Sequence, residues 1–163
     1  MLSDSIPMEF VLTFVRLVTG VCLIYYGWPK IKGLKANAKD FVGMGYKPGW
    51  FWGTLIACVE FFGGIAMILG AYAEVAAALF GFQMIVGTFW KRKNNVDFTD
   101  YSYDLLLLAA CLMTWRFGPG ALALIPSDFP LLRWDVSIAA IVGGFLFAYL
   151  PEILGRRYRK WKG

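Results

Sequence analysis

Two charged side chains, Arg16 and Glu60, stand inside long apolar stretches of the sequence. A charge at the middle of a bilayer costs at least about 2.5–3.5 kcal/mol on insertion scales, so an arginine and a glutamate are expected to pair there. The planar guanidinium suits such a site because it meets a carboxylate with two parallel hydrogen bonds and keeps its charge at low dielectric. Gln83, in a third apolar stretch, offers an amide that could join the pair.

The depths of these three side chains predict one polar layer. At about 1.5 Å of rise per helical residue, Arg16, Glu60 and Gln83 lie about 12 to 16 Å from the outer ends of their stretches. If the three helices are neighbours, the layer can serve as a pocket for a lipid-soluble ligand such as a quinone headgroup, or as a proton-handling carboxylate. It can also be a satisfied polar clamp that fixes the register of the helices. The sequence leaves both interpretations open.

Three further side chains near the inner ends of the stretches complete the candidate set. Tyr26 is a looser candidate for lining the pocket. Lys30 ends the first stretch and Asp104 begins the fourth, so an ion pair between them at the inner face is one interpretation. A lysine at this depth can also extend its ammonium to the interface without any partner.

The elements that must position these residues are membrane helices. The chain has 163 residues, of which 59% are hydrophobic and 17% charged, and a soluble domain of this length would carry more charge. Five apolar stretches are long enough to cross a bilayer as helices; they are Met8–Trp28, Trp50–Gly70, Tyr72–Trp90, Tyr101–Phe117 and Val136–Leu154. The sequence therefore predicts an all-α integral membrane protein with one domain. It would have a core bundle over about 8–125, a further transmembrane helix over about 136–154 and a basic tail over 155–163.

Basic residues predict the orientation. Most of the 16 lysines and arginines follow the first stretch, follow the third stretch or lie in the tail, and these segments would share one side. The positive-inside rule then predicts a multi-pass protein of the plasma membrane, with its N-terminus outside and its C-terminus in the cytoplasm. Contact with anionic membrane lipids accounts for the net charge of +5, so no nucleic-acid partner is expected.

Several residue types and motifs are absent from the sequence, and their absence excludes some classes of metal and cofactor site. It contains no histidine, which excludes bis-histidine haem, histidine-ligated copper and carboxylate–histidine di-iron sites. Cys22, Cys58 and Cys111 are isolated within the stretches and suit small apolar fillers, with a transmembrane disulfide as the alternative if two of them meet. No P-loop or dinucleotide-binding glycine motif occurs. We expect no metal and no intrinsic cofactor, so electron transfer would need an external cofactor or a redox partner.

Four motifs, in order along the chain, resemble the DoxX family of small bacterial and archaeal membrane proteins. They are Arg16-Leu17-x-x-Gly20 with Tyr26-Gly27-Trp28-Pro29-Lys30, Glu60-x-x-Gly63-Gly64-x-x-x-x-Leu69-Gly70, the alanine-rich run Ala76–Leu79, and Tyr103-Asp104-Leu105-Leu106-Leu107 followed by Gly118-Pro119-Gly120. The set covers about residues 10–124. The resemblance implies a four-helix membrane bundle in which Arg16 and Glu60 are signature positions.

The resemblance also implies an association with membrane oxidoreductases. The leading hypothesis is a subunit that supports a quinone-linked oxidoreductase together with other membrane or redox subunits, and that is not an enzyme on its own. The alternatives are a structural or assembly subunit and, less favoured because no inverted repeat or helix broken at mid-depth is found, a small-molecule transporter. Two features depart from the family. Tyr26 stands where a histidine is common, and Val136–Gly163 extends beyond the four-helix core, which would suit a docking surface.

Overall fold

The protein is built from α-helices. The computed structural model describes residues 7–125 and 134–154, with only the backbone described at 134–141 and 152. The helices are α1 (Met8–Lys32), α2 (Leu34–Gly43), α3 (Gly49–Leu69), α4 (Ala73–Lys93), α5 (Phe98–Phe117) and α6 (Trp134–Ile153). Within the described ranges the only β-structure is an isolated bridge between Ala71 and Ile125. The prediction of an all-α protein is confirmed.

Among the described residues, three helices are long and apolar enough to cross a membrane, namely α1, α3 and α4. Apart from a few residues at the ends, they coincide with the first three predicted stretches. Large apolar side chains such as Phe14 and Phe62 are exposed on them, as a lipid-facing surface requires. The fourth and fifth predicted stretches lie in α5 and α6. Asp100, Asp104 and Arg116 make α5 less apolar, so five membrane crossings remain a prediction.

Four of the helices form a ring. Helix α1 packs against α3, α3 against α4, α4 against α5, and α5 against α1. The buried centre of the ring is apolar and includes Leu23, Met67, Phe80 and Cys111. All three cysteines are free thiols, so the alternative of a transmembrane disulfide is wrong. This bundle is the frame that positions the polar side chains.

Glycines bring the backbones of α1 and α3 into direct contact. A Cβ atom at Gly20 would lie 2.8 Å from the carbonyl oxygen of Gly64, and one at Gly27 would lie 2.6 Å from the amide nitrogen of Phe61. No side chain fits at either position, as is common where membrane helices pack through small residues. The two contacts fix the register of α1 on α3, with Gly27 beside Glu60 and Phe61.

Helix α2 was not predicted, because its ten residues are too short and too polar to span a bilayer. The five predicted stretches leave no helix in the lysine-rich segment after the first stretch, whereas the structure has a helix over Leu34–Gly43. Asn37 is buried and donates from Nδ2 to the carbonyl oxygen of Gly53 at 2.6 Å. A Cβ atom at Gly53 would lie 3.0 Å from the amide nitrogen of Ala38. Helix α2 therefore packs tightly on the first turns of α3.

Helix α6 packs outside the ring, against α4. A Cβ atom at Gly144 would lie 2.5 Å from Ile85, and the rings of Phe145 and Phe89 meet edge to face at 5.1 Å. The ring of Phe147 stacks on Tyr46, which precedes α3. Helix α6 thus lies beside the four ring helices, and its role as a further transmembrane helix remains a prediction. The predicted basic tail over 155–163 lies outside the described residues.

Candidate functional site

The bundle has two polar regions at opposite ends of α1. We call the end where α3 finishes and α4 begins the Arg16 end, and the end where α1 finishes the Lys30 end. Arg16 and Glu60 were predicted to meet in one layer, but Gly27, which lies beside Glu60, is eleven residues beyond Arg16. At about 1.5 Å per residue the two regions are about 16 Å apart along the helix.

The guanidinium of Arg16 donates its hydrogen bonds to backbone carbonyls. It is 1% exposed, and its Nη1 donates to the carbonyl oxygens of Met67 and of Ile68, the latter at 3.1 Å, while Nη2 donates to that of Leu122. The last carbonyls of a helix lack partners within the helix and carry partial negative charge, so a guanidinium suits the end of α3. Arg16 thereby ties α1 to α3 and to the segment after α5.

The segment after α5 explains why the predicted Arg16–Glu60 pair is wrong. Gly120 packs against the first turns of α1, where its Cβ atom would lie 2.5 Å from the carbonyl oxygen of Glu9. These turns extend past the end of α3, so Arg16 is level with that end and not with the middle of α3. The acidic group whose charge acts on Arg16 is the buried Glu74 of α4. Glu74 stands in the first turn of α4 and was not among the predicted site residues.

Glu60 lies at the Lys30 end and is 2% exposed. Its Oε1 accepts hydrogen bonds from Nζ of Lys30 and from Nε2 of Gln83. The predicted contact between Glu60 and Gln83 is thus confirmed, with Lys30 in the place expected for Arg16. The lysine side chain is 35% exposed, so the pair joins a buried carboxylate to a cation that reaches the surface.

The predicted ion pair between Lys30 and Asp104 is also wrong, because each residue has another partner. Oδ2 of Asp104 accepts from Nζ of Lys91 at 2.7 Å. A Cβ atom at Gly87 would lie 3.3 Å from the same oxygen, so this glycine gives the carboxylate its room. The charge of Lys30 still acts on Asp104. Lys91 was missed as a site residue, although its basic segment and Asp104 were both placed at the inner face.

These residues form one polar cluster, which we define as Lys30, Glu60, Gln83, Lys91 and Asp104. Each of the four ring helices contributes to it. Among the described side chains, the buried polar atoms without a partner are Arg16 Nε, Glu60 Oε2, Gln83 Oε1 and Thr88 Oγ1. Two of them belong to the cluster, and Thr88 follows Gly87 on α4.

The unpaired atoms define what the cluster can bind. A buried oxygen without a partner costs about 1–3 kcal/mol, so native proteins seldom leave one without a use. Glu60 Oε2 and Gln83 Oε1 can accept from a hydroxyl, while Lys30 can donate to a carbonyl. Protonation would turn Glu60 into a donor as well. The arrangement can therefore bind hydroxyl and carbonyl oxygens.

Tyr26 lies beside the cluster, one helical turn before Lys30. It is 47% exposed, and its ring is 5.4 Å from that of Tyr103 on α5. Tyr103 also interacts with Cys22, a further turn back on α1. The sequence analysis quoted Tyr103 only as part of a motif, since nothing in the sequence showed that it meets Tyr26.

Comparisons with known proteins give one family and one relative. The family model named DoxX matches residues 11–92. A Bacillus subtilis (strain 168) protein named "Putative oxidoreductase CatD" is 24% identical over 115 residues, which cover 71% of this chain and 84% of that protein. No solved structure gives a significant match.

Proposed function

Because the chain belongs to the DoxX family, we propose that it is a membrane subunit that supports a quinone-linked oxidoreductase and binds the quinone headgroup at the polar cluster. The observation that carries this proposal is the unpaired Oε2 of the buried Glu60, next to a lysine that reaches the surface. The relative named as an oxidoreductase supports the class of partner.

The polar groups match both oxidation states of a quinone. A quinone carbonyl accepts from Lys30, and a quinol hydroxyl donates to Glu60 Oε2 or Gln83 Oε1. Reduction of a quinone to a quinol takes up two electrons and two protons. The electrons would come from a cofactor of the partner oxidoreductase, and the two protons would come from water by way of Lys30 and Glu60.

The surface-exposed part of the cluster supports this proton route. Lys30 and Lys91 have side chains that are 35% and 31% exposed, so they can exchange protons with water while Glu60 stays buried. The basic residues near this end favour a cytoplasmic location for it, by the positive-inside rule. Protons would then be taken from the cytoplasm.

Quinone binding can be tested directly on the purified protein. Wild type, Glu60→Gln and the control Glu9→Gln, which changes an exposed carboxylate, would be titrated with decylubiquinone in mild detergent. We expect Glu60→Gln to weaken binding about tenfold or more, since it removes the ionisable acceptor, and Glu9→Gln to bind like wild type. Equal affinity in all three proteins, or no binding by wild type, would overturn the proposal.

A structural or assembly subunit is the second candidate, and the position of α6 favours it. This helix packs on α4 outside the ring, and among the described residues it makes no hydrogen bond or ion pair with the polar cluster. Deleting residues 136–163 separates the two functions. Loss of complex assembly with quinone binding retained would assign α6 to docking, whereas loss of both would argue that it supports the ring itself.

A further inference from the structure

A ligand that is dissolved in the lipid must cross the ring to reach Glu60, and the ring offers four seams. The seam between α1 and α3 is closed by backbone contact. Hypothetical Cβ atoms at Gly27 and Gly64 would lie 2.6 Å from the amide nitrogen of Phe61 and 2.8 Å from the carbonyl oxygen of Gly20. Passage there would require the two helices to separate.

Two other seams are crossed by the polar cluster itself. The hydrogen bond from Gln83 to Glu60 spans the seam between α3 and α4, and α6 covers part of the outer surface of α4. Asp104 lies against Gly87 and accepts from Lys91 across the seam between α4 and α5. A ligand entering by either route would have to break these bonds first.

Among the described residues, the seam between α1 and α5 is closed by Tyr103, which interacts with Tyr26 and Cys22 of α1, and no hydrogen bond of the polar cluster crosses it. Helix α1 packs far less closely on α5 than on α3. At the level of the cluster the seam is occupied by Tyr26 and Tyr103, whose rings are 5.4 Å apart and inclined at 52°. Tyr26 is 47% exposed, and Lys30 follows one turn later on the same face of α1.

We propose that a quinone enters from the lipid between α1 and α5, through a gate formed by Tyr26 and Tyr103. This inference rests on the proposed quinone binding. An exposed ring can change rotamer within nanoseconds, whereas separating packed helices is a slower, collective motion. When the Tyr26 ring turns outward, the headgroup reaches Lys30 and Glu60 without any displacement of the helices.

The seam also defines the class of ligand. Val18 of α1 and Leu106 of α5 are exposed, and helical spacing places them on the faces that carry Tyr26 and Tyr103, towards the Arg16 end. They continue the seam as an apolar track. The ligand that fits is a single-ring quinone with a long apolar tail, whose headgroup passes the tyrosines while its tail stays in the lipid.

The test compares two seams whose ring pairs have the same spacing. Trp28 and Phe61, at the seam between α1 and α3, also have centroids 5.4 Å apart. In a background with the three native cysteines replaced by alanine, one variant carries Tyr26→Cys with Tyr103→Cys and the other carries Trp28→Cys with Phe61→Cys. Each pair would be joined by a short bis-methanethiosulfonate cross-linker, which a reductant removes.

The readout is labelling by a tailed azidobenzoquinone in lipid vesicles, mapped by mass spectrometry and competed with decylubiquinone. We expect cross-linking of the α1–α5 pair to cut labelling about tenfold, with recovery after reduction. Cross-linking of the α1–α3 pair should leave labelling unchanged.

The two possible failures can be told apart. If wild type is labelled and the cross-linked α1–α5 variant is labelled equally, the gate is wrong while quinone binding stands. If wild type shows no competed labelling, the proposed function fails and the gate with it.

Discussion

Arg16 and Glu60 are both buried charges on apolar helices, but the two ends of the bundle use them differently. Arg16 donates to three backbone carbonyls on two segments of the chain. Among the described residues, Glu60 accepts from two side chains and keeps one oxygen unpaired. Backbone carbonyls are held in place by the fold, whereas a side chain can rotate and exchange one hydrogen-bond partner for another. A buried charge is therefore a structural residue at one end and a binding candidate at the other.

The strongest test of this contrast is the loss of the guanidinium. Arg16→Met should lower the free energy of unfolding by about 3–5 kcal/mol, because it removes the charge-assisted hydrogen bonds that tie α1 to the end of α3 and to Leu122. Thermal unfolding in detergent, followed by exposure of the native thiols, measures the change. The exposed Arg116 provides the control Arg116→Met. Equal melting temperatures for the two variants would show that Arg16 is not a clamp.

The second-largest effect is expected at the seam between α1 and α3, which keeps Arg16 and Glu60 apart. Gly27→Ala should destabilise by about 1–3 kcal/mol, because its Cβ atom would overpack the backbone of α3. Gly63→Ala is the matched control, since its Cβ atom would lie 3.8 Å from Ala76 in ordinary contact. The same unfolding assay compares them. If Gly27→Ala is as stable as Gly63→Ala, the register of α1 on α3 differs from that described here.

Loss of the carboxylate at the Lys30 end should cost less. Glu60→Gln keeps the shape of the side chain, and Lys30 can turn towards water, so we expect a loss of about 1–2 kcal/mol. The same protein should lose quinone affinity, as described above. Should Glu60→Gln melt lower than Arg16→Met, Glu60 would also be a clamp and the contrast between the two ends would disappear.

The smallest effect is expected at the edge of the polar cluster. Lys91→Met breaks the pair with Asp104. Because the lysine side chain is 31% exposed, we expect the free energy of unfolding to fall by only about 0.2–1 kcal/mol. The exposed Lys39 of α2 offers the control Lys39→Met, which should be neutral. A loss for Lys91→Met as large as that for Arg16→Met would move Asp104 into the structural core.

The sequence was sufficient to predict the long helices and the membrane class, because unbroken apolar runs leave few alternatives to a spanning helix. It also predicted the contact between Glu60 and Gln83, whose depths on antiparallel helices nearly coincide. Helix α2 could not be found in this way, because a short polar helix is stabilised by its packing on Gly49 and Gly53 and not by its own apolar pattern.

The partners of the charges were harder to predict, for a physical reason. Equal spans were assumed to start at one plane, but the segment around Gly120 holds the first turns of α1 beyond the end of α3. That offset moves Arg16 away from Glu60. Its true acceptors are backbone carbonyls, which every residue has, so no residue type marks them. The same offset places Gly27 beside Glu60 and so brings Lys30 within reach of the carboxylate.

The polar cluster is built from four different helices, and this has a consequence for assembly. Membrane helices insert one by one and associate afterwards, and until they do, Glu60 would face lipid with its charge uncompensated. Its partner Lys30 lies on α1, and the glycine contacts join α1 to α3. The charges of Glu60 and Lys30 can therefore pair as soon as these two helices associate, before the rest of the chain is made. Asp104 arrives last, on α5. The order of synthesis thus first gives a helical hairpin in which the charge of Glu60 is already paired. The polar cluster is complete only when α5 closes the ring.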